Sequence, residues 1–176
     1  MNTISRSSFL KTLGISAASL VVPGSVYARI EPTQDKPPQI NPEIVKEFVG
    51  VSHSKIDRVK EMLENNPLLL HVSYDWGGGD FESGIEAAGH VGNKEIANYL
   101  LSKGARYNVY LASMLGHIEV VKLVLGTNPG LLNSKGPHGF TMLHHAKKGE
   151  ANDVIAFLES VGAKETRMDF YAVSPK

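Results

Sequence analysis

The chain has 176 residues, 42% of them hydrophobic and 20% charged, with eighteen basic side chains, eighteen acidic ones and seven histidines. That balance suits one domain with a continuous core and supplies no broad positive footprint for nucleic acid. The absence of cysteine excludes disulfides, thiolate metal sites and cysteine nucleophiles.

Residues 1–28 read as an export leader. The opening "MNTISRSSFLK" carries Arg6 and Lys11 and no acid, "TLGISAASLVVPG" is mildly apolar, and Ser25-Val26-Tyr27-Ala28 offers a cleavage site after Ala28. The apolar run is about a dozen residues, short of the roughly 20 that a spanning helix needs, so no stable membrane span is expected after processing. Ser5 to Lys11 also resembles the bacterial twin-arginine signal at Arg6, Phe9, Leu10 and Lys11, with Ser7 where the second arginine belongs. The general and twin-arginine routes both stay open, and either delivers the chain to the periplasm, the cell envelope or the exterior. Residues 29–42 follow with Pro32, Pro37, Pro38 and Pro42 and few apolar side chains, the composition of an extended linker.

From residue 43 a template recurs. "SKIDRVKEMLENNP", "GNKEIANYLLSKGA", "GHIEVVKLVLGTNP" and "EANDVIAFLESVGA" each set an apolar stripe between a polar opening and a Gly-Ala or Asn-Pro ending. Ile96, Tyr99 and Leu100, like Val120, Val121 and Val124, recur at helical spacing. Helix pairs are therefore expected at about 43–66, 83–104, 107–128 and 141–162, with a tail at 164–176. Ala87, Ala88, Ala112 and Ala146 are small where paired helices approach, and Gly104 and Gly162 suit left-handed helix ends. The copies open at residues 54, 92, 116 and 150, steps of 38, 24 and 34. The short step leaves no hairpin between the second and third pairs, so loop fingers are expected at the first and third junctions, with a recess over Tyr107, Tyr110 and Met114 between them.

The last copy, "GFTMLHHAKKGEANDVIAFLESVGA", resembles the ankyrin repeat at Gly139, Thr141, Leu143, His144, Ala146, Val154, Ile155, Leu158, Gly162 and Ala163, and "GHIEVVKLVL" and "IEAAGHVGNKEIANYLLSKGA" extend the likeness. The resemblance implies an all-α ankyrin-repeat solenoid of about four helix-turn-helix repeats in a domain spanning 43–176, and the uneven steps add irregular junction loops and one repeat lacking its hairpin. It further implies structural roles for Thr141, His144, Gly104 and Gly162, and a monomer that binds a protein or peptide partner without catalysis, cofactor or metal.

The segment "YDWGGGDF" departs most from that template. A phosphate loop would need Lys and Ser or Thr after the glycines, and none follows. The segment reads either as a turn packed by Trp76 or as a recognition finger. The candidate partner contacts are Tyr74, Asp75, Trp76, Asp80, Tyr107, Tyr110, His138 and Phe140. Of the histidines, His53, His90, His117 and His144 fall at repeat positions and read as structural. His138 and His145 do not, and the alternative function is a metal-handling or hydrolytic envelope protein that joins them to Asp75 or Asp80. Glu82 and Glu86, four apart, read as a solvated helix face. No Gly-x-Ser-x-Gly turn or His-Glu-x-x-His helix occurs.

Overall fold

The structure is a computed structural model that describes residues 37–172. The expected leader with its cleavage at Ala28, the linker up to residue 36 and residues 173–176 lie outside the described residues. The chain divides into two units, Met1–Pro38 and Gln39–Lys176, and the second holds every helix and strand of the described residues. That unit opens before residue 43: Ile40 packs on the core and Asn41 caps the first helix, so the end of the expected linker is folded.

The described residues form eight α-helices and one small sheet. The helices are α1 (Pro42–Val51), α2 (Ile56–Asn65), α3 (Gly84–Val91), α4 (Lys94–Ser102), α5 (Val109–Leu115), α6 (Ile118–Thr127), α7 (Met142–Lys148) and α8 (Asn152–Ser160). The starts are written in the sequence. Asn41, Asn93, Asn108 and Thr141 each offer a side-chain oxygen to a backbone N–H of the first turn, which satisfies a donor that has no partner within the helix. Gly92 and Gly116 end α3 and α5 with φ of 80° each, and Gly104 and Gly162 have φ of 93° and 101°. No helix among the described residues is long and apolar enough to cross a membrane.

Helices pair as neighbours in sequence, and the first helices of the pairs form a continuous layer: α1 packs on α3, α3 on α5 and α5 on α7. The core lies in two parts. Phe48, Val59, Leu69, Ile96 and Leu100 join Leu111 and Met114 on one side of α5, while Val121, Met142, Leu143, Val154 and Leu158 gather with Ala112 on the other. Burying an aliphatic side chain of this size contributes roughly 1.5–3 kcal/mol, and these two clusters provide most of that term.

Contact also runs between α3 and α7, although α5 stands between them in the layer. A Cβ on Gly92 would collide with the Lys148 carbonyl, and one on Gly149 with that of Met114, so both approaches exist only because neither residue has a side chain. The expected recess is consequently closed. Met114 is fully buried, Tyr110 is half-buried with its hydroxyl donating to Ser134, and only Tyr107 stays exposed. The first and third junctions then meet instead of projecting past a gap.

Candidate functional site

The site is carried by the first-junction finger. After a 3-10 turn at Pro67–His71, β1 (Ser73–Asp75) pairs antiparallel with β2 (Phe81–Ser83), with Ser73 opposite Ser83, Tyr74 opposite Glu82 and Asp75 opposite Phe81. At the tip Gly77, Gly78 and Gly79 have φ of 131°, 63° and 88°, so three positive-φ residues in succession explain the glycine run. Asp75 is spent on that turn, its Oδ1 accepting from the backbone of Gly77 and Gly79. Side chains alternate across a strand, which turns Phe81 outward, 58% exposed, and Glu82 inward, fully buried.

Glu82 is the centre of an imidazole cluster. Its Oε1 lies 2.8 Å from Nδ1 of His90, 3.4 Å from Nε2 of His138 and 3.8 Å from Nε2 of His53. The other oxygen, Oε2, accepts from the Trp76 indole N–H at 2.8 Å. Burial pushes the pKa of Glu82 up, but the His90 contact and the potential of His90, His53 and His138 outweigh it, and the net direction is down. Close as Oε1 and His90 Nδ1 are, their alignment is not that of a hydrogen bond, and both buried atoms are without a hydrogen-bond partner.

Two further parts hold the imidazoles. His53 directs Nδ1 at the carbonyls of Gly50 and Val49, 3.0 and 3.2 Å away, which leaves Nε2 facing Glu82. His138 comes from the third junction, in the 3-10 turn Pro137–Gly139, and takes φ of 58°, a backbone state that few residues with a side chain adopt. Asp80 holds it there: Oδ1 accepts the His138 backbone N–H at 2.8 Å and Oδ2 the ring Nδ1 at 2.7 Å, across 58 residues of sequence. The C-terminal segment straps the same loop. Arg167 Nε donates to the His138 carbonyl, Met168 N–H to that of Gly139, and the Tyr171 hydroxyl to that of Gly77.

The structure therefore brings Tyr74, Trp76, Asp80, His138 and Phe140 together and leaves Tyr107 and Tyr110 elsewhere. Tyr74 meets Trp76 edge to face, and Phe140 stacks on His144 at 3.9 Å beneath Arg167. Tyr107 lines a separate cleft with Arg106 and Glu86, and its hydroxyl bonds His117. Asp80, expected at the partner contact, is instead buried against His138. His145 does not join His138: it is buried beside Tyr110, its Nδ1 donates to the Thr141 carbonyl, and desolvation lowers its pKa to about 4. His144 donates from Nε2 to the His90 carbonyl on α3, while Thr141 caps α7 and sends its hydroxyl to the Glu165 carbonyl. An apolar groove between α6 and α8, lined by Leu125, Pro129, Phe157 and Val161, contains none of the residues expected at a site.

Sequence reasoning misses His53, Glu82 and His90 as site residues. Glu82 belongs to β2 and not to the helix of Glu86, whose carboxylate instead caps α3 at Ser83. A signal for the histidines does exist: His53 and His90 close the first helices of successive pairs, so stacking sets their rings side by side at 4.9 Å. Neither protein-family models nor curated proteins give a match for this chain.

Proposed function

We propose that this chain is an exported bacterial binding module of the ankyrin-repeat type, which captures a protein or peptide partner by non-covalent contact on its finger face. The observation that carries the reading is the contrast between the finger's tip and its base. Trp76, Phe81 and Tyr171 are 39%, 58% and 63% exposed around the glycine turn, while Glu82 and Asp80 anchor the same hairpin from within. Aromatic side chains on a backbone already ordered lose little freedom on docking, and such anchors commonly dominate interface energy.

The helix pairs, the left-handed glycines at their ends and the Thr141 and His144 bonds support the ankyrin reading, in which loops at one edge of a helix stack make the contact. The leader supports export. Recognition, not a reaction, is the role assigned to the finger face.

The test is capture from the cell envelope by the full chain and by a Phe81→Ala/Tyr171→Ala variant, with bound proteins identified by mass spectrometry. Both side chains are exposed, circular dichroism checks that the variant keeps its fold without the Tyr171–Gly77 bond, and the expected result is a partner held by the parent chain and lost by at least about tenfold in the variant. Equal capture by the two chains refutes the finger face as the contact.

A further inference from the structure

We infer that His53, Glu82, His90 and His138 form a binding site for one divalent first-row transition-metal ion of the zinc class. This inference is independent of the partner reading above.

The argument starts from charge. Glu82 and Asp80 are two carboxylates buried side by side around His138, and their ion-pair partners among the described residues are imidazoles alone. A buried charge persists only when it is paired. With the imidazoles neutral, as metal ligation requires, the cluster is two positive charges short, and one divalent ion supplies both.

Proton positions point the same way. Nδ1 of His53 faces backbone carbonyls and Nδ1 of His138 faces Asp80, so each Nδ1 carries a proton, and in the neutral ring each Nε2 offers a lone pair toward Glu82 Oε1. Backbone carbonyl or carboxylate behind the distal nitrogen is the arrangement that orients metal-bound histidines, and the Trp76 N–H on Oε2 orients the carboxylate likewise. The pair without hydrogen-bond partners, His90 Nδ1 and Glu82 Oε1, stands 2.8 Å apart inside the protein, and a cation bound by both satisfies both atoms.

Distances fit the ion. With bonds of about 2.0–2.1 Å, donors around tetrahedral zinc lie about 3.3 Å from one another. The three nitrogens stand 2.8, 3.4 and 3.8 Å from Oε1, each within about half an ångström of that spacing. The binding atoms of His53, Glu82 and His90 are all within 4.8 Å of one another, while His138 Nε2, 3.4 Å from Oε1, lies outside that set and must close in to become the fourth ligand. Imidazole nitrogen favours zinc and its neighbours over magnesium or calcium, which take oxygen. His53 and His138 keep 28% and 23% of their side chains exposed, an access route for the ion.

The experiment uses the full chain without a polyhistidine tag, stripped with a chelator and titrated with Zn2+ by calorimetry, then loaded with Co2+ to read the visible bands of a tetrahedral site. One equivalent of Zn2+ is expected to bind with Kd below about 1 µM. His53→Gln and Glu82→Gln are expected to weaken binding by more than about 100-fold, and Asp80→Asn, which acts through His138, by about 10–100-fold. His117→Gln, outside the cluster, is expected to bind as the parent does. Glu82→Gln alters a fully buried group, so circular dichroism accompanies it, and partly exposed His53 decides the matter if Glu82→Gln fails to fold. No saturable binding near one equivalent, or Zn2+ binding unaltered in His53→Gln, overturns the inference, and the cluster is then an imidazolium–carboxylate pair.

Discussion

His145 gives a quantitative test of the packing between α7 and its neighbours. The ring is buried beside Tyr110, Nδ1 bonds the Thr141 carbonyl one turn back, and desolvation is the largest cause lowering its pKa to about 4, with His144 and His90 adding repulsion. In the unfolded chain the same ring titrates near 6.5, so between about pH 6.5 and pH 4 the unfolded state binds a proton that the folded state refuses. Stability is therefore free of this penalty above about pH 6.5, falls as pH drops through that window and levels off below about 4. A gap of this size is worth roughly 3 kcal/mol in full, of which about 2 kcal/mol has appeared by about pH 5. The assay is urea unfolding of the parent chain and of His145→Asn at about pH 7.5 and about pH 5, with chelator throughout. Asparagine keeps a donor for Thr141 and cannot take up a proton in this range. The other histidines are common to both chains, so the difference between the two pH effects reports chiefly His145, with the smaller coupling to His144 and His90 included. The parent is expected to lose about 2 kcal/mol more than the variant on acidification. Equal losses refute the claim that this ring is held neutral by burial.

Three other outcomes follow from the packing. Leu158→Ala empties a fully buried position in the core beyond α5 and is expected to cost about 2–5 kcal/mol by denaturant unfolding. Trp76→Phe removes the indole donor from Glu82 Oε2 and is expected to cost about 1–3 kcal/mol, read as a lower melting temperature; a neutral result would show that water or another donor serves that oxygen. Gly92→Ala and Gly104→Ala both place a side chain at positive φ, but a Cβ on Gly92 strikes the Lys148 carbonyl whereas one on Gly104 meets nothing within 4 Å. Gly104→Ala is expected to cost about 1 kcal/mol and Gly92→Ala clearly more, so equal losses would deny the close approach of α3 and α7.

Helices are legible in the sequence because their signals are local. Apolar spacing marks Ile96, Leu100 and Val121, and capping residues such as Asn93 and Asn108 lie within the same turn as the donors they satisfy. The finger is legible only as an anomaly. Sequence shows three glycines beside the single tryptophan, yet the positive φ of all three, which makes the run necessary, belongs to a hairpin too short for its two strands to announce. Glu82 illustrates the cost of a wrong period. Counted with Glu86 at a spacing of four it belongs to a wet helix face, whereas counted by twos along Phe81–Ser83 it points inward. The His138–Asp80 pair is half visible, since both residues stand out in the sequence, but the third partner the sequence suggests for them is His145. Adjacent residues on a helix point about 100° apart, and with His144 committed to the His90 carbonyl, His145 turns into the core.

The shortest repeat step connects these observations. A strand hairpin stands at the first junction and the Pro137–Gly139 turn at the third, while only a few residues separate α4 from α5 at the second. A second-junction hairpin would have stood between the other two and kept Asp80 from His138. Its omission, together with Gly92 and Gly149 at the contacts of α3 and α5 with α7, lets loops 58 residues apart share one buried pair. His90 closes α3 at the place where these loops meet, its ring edge-on to that of His138 at 5.4 Å. Irregularity of spacing, which weakens the likeness to a uniform repeat array, is thus the feature that assembles the polar cluster. A chain evolving only to stack helices gains nothing from burying two carboxylates among imidazoles, because an apolar cluster of the same volume is commonly as stable or more so. The burial of Glu82 and Asp80 inside this fold is what the proposed metal ion would account for.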